Sequence, residues 1–135
     1  MDCYHDNEKG IKRGKNKIIK FLMDGFTIAH LGDVGETESD RIVRFLTGTD
    51  ILLIPVGGVY TVNAKDAMYY VDAVKPQIVI PMHFKTKGCV VNVNSVEVFT
   101  ELAKNKYTVN YFGKEFQPKK YEKTNICVLG KEEAI

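Results

Sequence analysis

Three short stretches carry side chains that could do chemistry: His5-Asp6 in "MDCYHDN", Asp33 in "FTIAHLGDVG" and His83 in "IVIPMH". His5, Asp33 and His83 make a nitrogen and oxygen donor set that suits zinc, with manganese or iron as alternatives. An ionised carboxylate has two oxygens to share, and each neutral imidazole one lone pair. Two of the three stand where an apolar run stops: "HLGD" ends at Asp33 and "IPMH" at His83, while a third run, "IPVGG", ends at Gly57-Gly58. Glycine beside a ligand lets backbone or substrate come close. His5-Asp6 sits in a polar segment that no packing pattern explains. His30 lies within a strand and reads as a satisfied histidine on one face of a sheet.

The elements that must position these residues are legible from pattern. "KIIKFLM" (17–23) and "FTIAHL" (26–31) flank Asp24-Gly25, the two-residue signal for a type I′ hairpin. "ESDRIVRFLTG" (38–48) predicts a short helix capped by Ser39 or Asp40, with Gly48 past its end. "DILLIP" (50–55) and "QIVIPMH" (77–83) are continuous apolar runs, as expected of strands buried on both faces. Between them, "NAKDAMYYVDAVKP" (63–76) has apolar residues at helical spacing, Asn63 as cap and Pro76 as stop. "NSVEVFTELAKN" (94–105) predicts another amphipathic helix, "YTVNYF" (107–112) and "TNICVLG" (124–130) two last strands, and residues 6–16 a loop. The order ββαβαβαββ predicts a layered α/β sheet in a single domain over residues 1–135. In such sheets, sites collect at strand ends.

Composition narrows the function classes. With 44% apolar and 27% charged residues the chain reads as globular. No apolar stretch approaches the roughly 20 residues that span a bilayer. The start lacks the apolar core of a secretory signal, so no membrane or export role is expected and a cytoplasmic location is. The net charge of +2 comes from 19 basic and 17 acidic residues, and the lysine-rich segments 9–20 and 118–123 read as solvated faces. Without tryptophan, and with tyrosines that do not interleave with the lysines, a nucleic-acid platform is not expected. Cys3, Cys89 and Cys127 are odd in number and widely spaced, which predicts reduced thiols rather than a disulfide framework.

In succession, "YHD", "RGKN", "GFTIAHLGDVG", "DILLIPVGGVYTVNAKDA" and "VKPQIVIPMHFKT" resemble the metallo-β-lactamase superfamily, its small lactamase-B-like metal-dependent hydrolases above all. The resemblance covers about residues 3 to 105. It implies a four-layer αββα sandwich with one or two divalent metals, zinc foremost, at the mouth between two sheets. By position, His5 resembles the histidine ligand that opens the second half of the fold. Asp33 resembles the carboxylate that bridges two metals, and His83 the last histidine ligand. The implied activity is attack by metal-bound hydroxide on an ester, lactone, amide or phosphodiester of a small molecule, with Asp33 and His83 at the reacting centre. Gly57, Gly58, Tyr60 and Thr61 would lie near the mouth and could touch substrate, although Tyr60 could equally serve packing.

The resemblance also has gaps. The family's HxHxDH signature is nowhere in the chain, and "MDCYHD" corresponds to a point near the middle of a complete member. The resemblance therefore implies the C-terminal half of the sandwich: one mixed β-sheet with helices packed on one face, and half of the ligands. Members often carry a histidine soon after the "GDLG" glycine, where this chain has Glu36. The sheet's inner face is then expected to be apolar and uncovered. At about 25 cal/mol per Å², even about 400 Å² of such surface represents roughly 10 kcal/mol of lost burial. A second copy of the chain, or a partner supplying the N-terminal half, would cover it. Two other readings stay open: an inactive remnant or interaction module, and a nucleic-acid-processing member binding through Lys9 to Lys20 with salt-sensitive affinity.

Overall fold

Asp24 and Gly25 both take positive φ, 50° and 81°, as a type I′ turn requires. They close a hairpin between β3 (Ile19–Met23) and β4 (Phe26–His30), with Met23 opposite Phe26. The computed structural model describes residues 1–130. Helix α1 (Asp40–Leu46) starts at Ser39, whose hydroxyl accepts the N–H of Ile42. Strand β5 (Ile51–Pro55) leads into α2 (Ala64–Val74), which Asn63 and Asp66 cap reciprocally and which ends at Lys75 in the left-handed conformation, just before Pro76. Then come β6 (Ile78–Met82), α3 (Val96–Ala103), β7 (Thr108–Tyr111) and β8 (Asn125–Val128).

Two short strands precede these elements, β1 (Asp2–Tyr4) and β2 (Lys15–Lys17), paired antiparallel in a sheet of their own. Lys15 and Asn16 therefore leave the expected loop, and Lys17 leaves the expected hairpin. Ile18, between β2 and β3, is fully buried, and its N–H donates to the carbonyl of Met1 at 2.9 Å.

The main sheet runs β3-β4-β5-β6-β8-β7. Only β3 is antiparallel to its neighbour, so β4, β5 and β6 all deliver their C-terminal ends to one edge. All three helices cover one face, where Ile42, Leu46, Tyr70, Val71 and Phe99 pack against Leu52, Ile54, Val79 and Ile126. Strands β7 and β8 are parallel, so the residues between them cannot form a hairpin loop. That connection crosses the second face instead, laying Phe112, Phe116 and Tyr121 against a cluster that contains Ile78 and Cys127. The second face is thus bare only in part: Ile78 and Cys127 are fully buried, whereas Ile19, Phe21 and Met23 on β3 are 55%, 42% and 55% exposed. Among the described residues no helix is long and apolar enough to cross a membrane.

Tyr70, fully buried, ties the helical layer to the loop after β4. Its hydroxyl donates to the carbonyl of Glu36 at 2.7 Å and accepts the N–H of Ser39 at 3.2 Å. Burial pushes its pKa up to about 12. Tyr70→Phe leaves both backbone groups unpaired and is expected to cost about 1–3 kcal/mol in urea denaturation. Tyr69→Phe, the neighbouring control, is expected to stay within about 0.5 kcal/mol. Burial likewise raises the Cys127 thiol to about 11. Alkylation of the native protein at pH 8, read by mass spectrometry, should label Cys89 and reach Cys127 only after unfolding.

Candidate functional site

The turn after β4 is fastened through its backbone. Leu31 continues the ladder by donating to the carbonyl of Leu53 at 3.0 Å. Asn16 clamps the turn from the side, its amide donating to the Leu31 carbonyl at 2.8 Å and its Oδ1 accepting the Asp33 N–H at 3.0 Å. The Val34 carbonyl accepts from Val62 at 2.9 Å, and Gly35 donates to the carbonyl of Tyr4 at 3.0 Å. The main chain of this turn is held from three sides, while the Asp33 side chain is 53% exposed.

Two backbone approaches set the positions of the histidines. A Cβ on Gly35 would overlap the carbonyl group of His5, and one on Gly57 would overlap the carbonyl oxygen of His83. The turn bearing Asp33 therefore lies directly against His5, and the end of β5 directly against His83. His83 itself takes φ 55°, a left-handed conformation uncommon outside glycine, and Val59, two residues past Gly57, takes φ 65°. For a β-branched residue such a φ is a true outlier, and strain of this kind collects at functional sites.

Asp33 consequently stands between two imidazoles. Its Oδ2 lies 3.4 Å from His5 Nε2, and its Oδ1 lies 4.0 Å from His83 Nε2. The Nδ1 of His5 is buried and has no hydrogen-bond partner among the described residues. His30 stays outside this group, exposed, with its Nδ1 accepting the N–H of Gly32 at 3.0 Å. Glu36 is committed elsewhere: its carboxylate pairs with Arg41 at 3.2 Å. Gly58 and Tyr60 belong to a tight turn, where Gly58 donates to the Val62 carbonyl and Tyr60 to the Gly58 carbonyl at 3.2 and 2.7 Å. The Thr61 hydroxyl donates to the carbonyl of Val62 at 3.1 Å, while the Tyr60 ring is 41% exposed.

Two imidazole nitrogens and a shared carboxylate fit a divalent metal by donor chemistry. Among the described residues, however, no three His, Cys, Asp or Glu side chains close around a point that could hold the ion by themselves.

Pattern reading marked His5-Asp6 and "RGKN" (13–16) but assigned no role to three contributors within them: Asn16, Asp6 and Arg13. Asp6 is 5% exposed and accepts the N–H groups of Glu8 and Gly10 at Oδ1 and those of Lys12 and Arg13 at Oδ2, between 2.8 and 3.0 Å. Burial alone would raise the pKa of this carboxyl, but the donors from Arg13, Gly10, Glu8 and Lys12 outweigh it and hold it at about 2. The one available signal was an Asp followed four residues on by a Gly in a polar run, the local hydrogen-bonding pattern of Asx turns.

The fold and these strand-end residues define a metallo-β-lactamase-type domain. A protein of Thermotoga maritima assigned as a zinc-dependent hydrolase of the metallo-beta-lactamase superfamily matches 86% of this chain at 32% identity and a TM-score of 0.70, over 59% of its own length. A metal-dependent hydrolase of Carboxydothermus hydrogenoformans is 40% identical over 62 residues, 46% of this chain and 27% of its own. Another from Nitratidesulfovibrio vulgaris is 35% identical over 84 residues, 62% of this chain and 34% of its own. The family model for the beta-lactamase superfamily domain matches residues 1–83, and the chain belongs to that family. The matched region thus spans about a third or less of these two curated relatives.

Gly57→Ala forces a Cβ onto the His83 carbonyl, and overpacking of this kind costs about 1–3 kcal/mol. Urea denaturation should show that loss as a lower midpoint at unchanged slope. Gly113→Ala, where a Cβ meets nothing within 4 Å, is expected to change little.

Proposed function

We propose that this chain forms one side of the catalytic centre of a metal-dependent hydrolase, with zinc as the metal and a small molecule as substrate. The reading is carried by one observation: Asp33, on a turn held only by its main chain, presents one oxygen to His5 and the other to His83. His5, Asp33 and His83 would hold the metal. When bound, a divalent ion supplies Lewis acidity, acidifying water and polarising a carbonyl or phosphoryl oxygen, which suits esters, lactones, amides and phosphodiesters. The chain's own part is positional. Asn16 and the Tyr4 and Val62 contacts hold Asp33, and the Gly57 approach aims His83. Completing the shell calls for donors beyond these three, from an N-terminal half of the fold or from a second chain that also covers Ile19, Phe21 and Met23.

A second reading, an interaction module that keeps the fold without the chemistry, is favoured by the lack of a closed ligand cluster among the described residues. Metal content decides between them. Elemental analysis of the purified chain after zinc loading and desalting is expected to find close to one ion per chain, and His83→Ala to lose most of it. A chain that stays metal-free at every protein concentration would sink the hydrolase reading for this chain and leave the module.

A further inference from the structure

The loop from Asp6 to Gly14 is polar, yet the four N–H groups converging on the Asp6 carboxylate give it a defined shape. Its last turn sets the Arg13 guanidinium over the Tyr60 ring, 5.6 Å from the ring centroid. Both side chains line a cavity of about 190 Å³ that also takes in His5, Gly35 and Thr61. The cavity therefore opens directly beside the Asp33-facing histidine.

The charges around it are unequally committed. Lys12 is paired with Glu8 at 3.2 Å, and Asp6 is saturated by backbone donors. Among the described residues no carboxylate lies within ion-pair distance of Arg13, and its guanidinium donates no hydrogen bond. The formal charges of Asp6, Glu8, Lys12 and Arg13 cancel, so a general field does not select the ligand. What remains is one planar group with five N–H donors, held against an aromatic ring and lacking an acceptor. Carboxylates and phosphates both satisfy such a fork with two parallel hydrogen bonds.

We infer that this cavity is an oxyanion subsite, and that Arg13 selects substrates carrying a carboxylate or phosphate group beside the bond that is cleaved. The subsite itself stands on Arg13 and Tyr60; its role in substrate choice rests on the reading of His5, Asp33 and His83 as the reacting end.

The test uses the metal-free chain, so that anion binding is read apart from hydrolysis. ¹H–¹⁵N spectra are followed at the Arg13 side chain and the amides of residues 59–61 while inorganic phosphate or malonate is added at constant ionic strength. At least one anion is expected to give shifts that saturate below about 10 mM. Saturation by phosphate alone assigns a phosphorylated substrate, and by malonate alone a carboxylate. Arg13→Gln keeps the backbone N–H that Asp6 holds and should weaken binding by about tenfold or more; Arg13→Lys should recover only part, for want of the planar fork. Tyr60→Leu, which removes the ring beneath the guanidinium, should weaken it less. Shifts that never saturate with either anion, or equal affinity in Arg13→Gln, would overturn the inference. Zinc content is measured in parallel: a chain that binds anions through Arg13 but takes up no metal keeps the subsite and loses the hydrolase reading.

Discussion

Between Val56 and Gly58 the main chain passes so close to the carbonyl of His83 that no β-carbon fits there. The parallel register of β5 and β6, with Pro55 opposite Met82, carries both strands to this point together. The same edge receives β4, and there Gly35 makes the equivalent approach to His5. These contacts convert sheet register into side-chain position. The separation of His5, Asp33 and His83 is then a property of rigid backbone rather than of flexible side chains.

The two faces of the sheet divide the remaining work. One carries the helices and most of the core, with Tyr70 binding the loop after β4 into it. The other is crossed by the connection from β7 to β8, which buries Ile78 and Cys127 but stops short of β3. The site lies at the strand ends, where both faces meet solvent. Sites of this kind draw their groups from loops and their precision from the sheet beneath.

Much of this architecture is readable from residue types. Asp24-Gly25 announces the hairpin, Ser39 and Asn63 the helix starts, and Pro76 the end of α2, because each acts through local backbone geometry. Strands β1 and β2 left no trace, since "DCY" and "KNK" are too short to show a period. The crossing of residues 112–124 was equally hidden, because strand direction depends on partners far away in sequence. At the site, His5, Asp33 and His83 could be named as candidates from type and position. That Asp33 faces both histidines depends on the strand order, and the roles of Asn16, Asp6 and Arg13 depend on tertiary hydrogen bonds and ring contact that no spacing rule encodes.

Strand β3 has a further consequence for the behaviour of the chain in solution. It is one of the two edges of the six-stranded sheet, β7 being the other, and its sequence, "IKFLM", contains a single charge. Native edges commonly rely on a lysine to repel incoming strands. Here the ammonium of Lys20 is turned onto α1, donating to the carbonyls of Phe45 and Thr47 at 2.9 and 2.8 Å, where it completes the end of that helix. The residue best placed to guard the edge is thus used as a helix cap. Among the described residues no strand pairs with the outer side of β3, where Phe21 and Leu22 are exposed on opposite faces, the kind of edge that can accept a further strand.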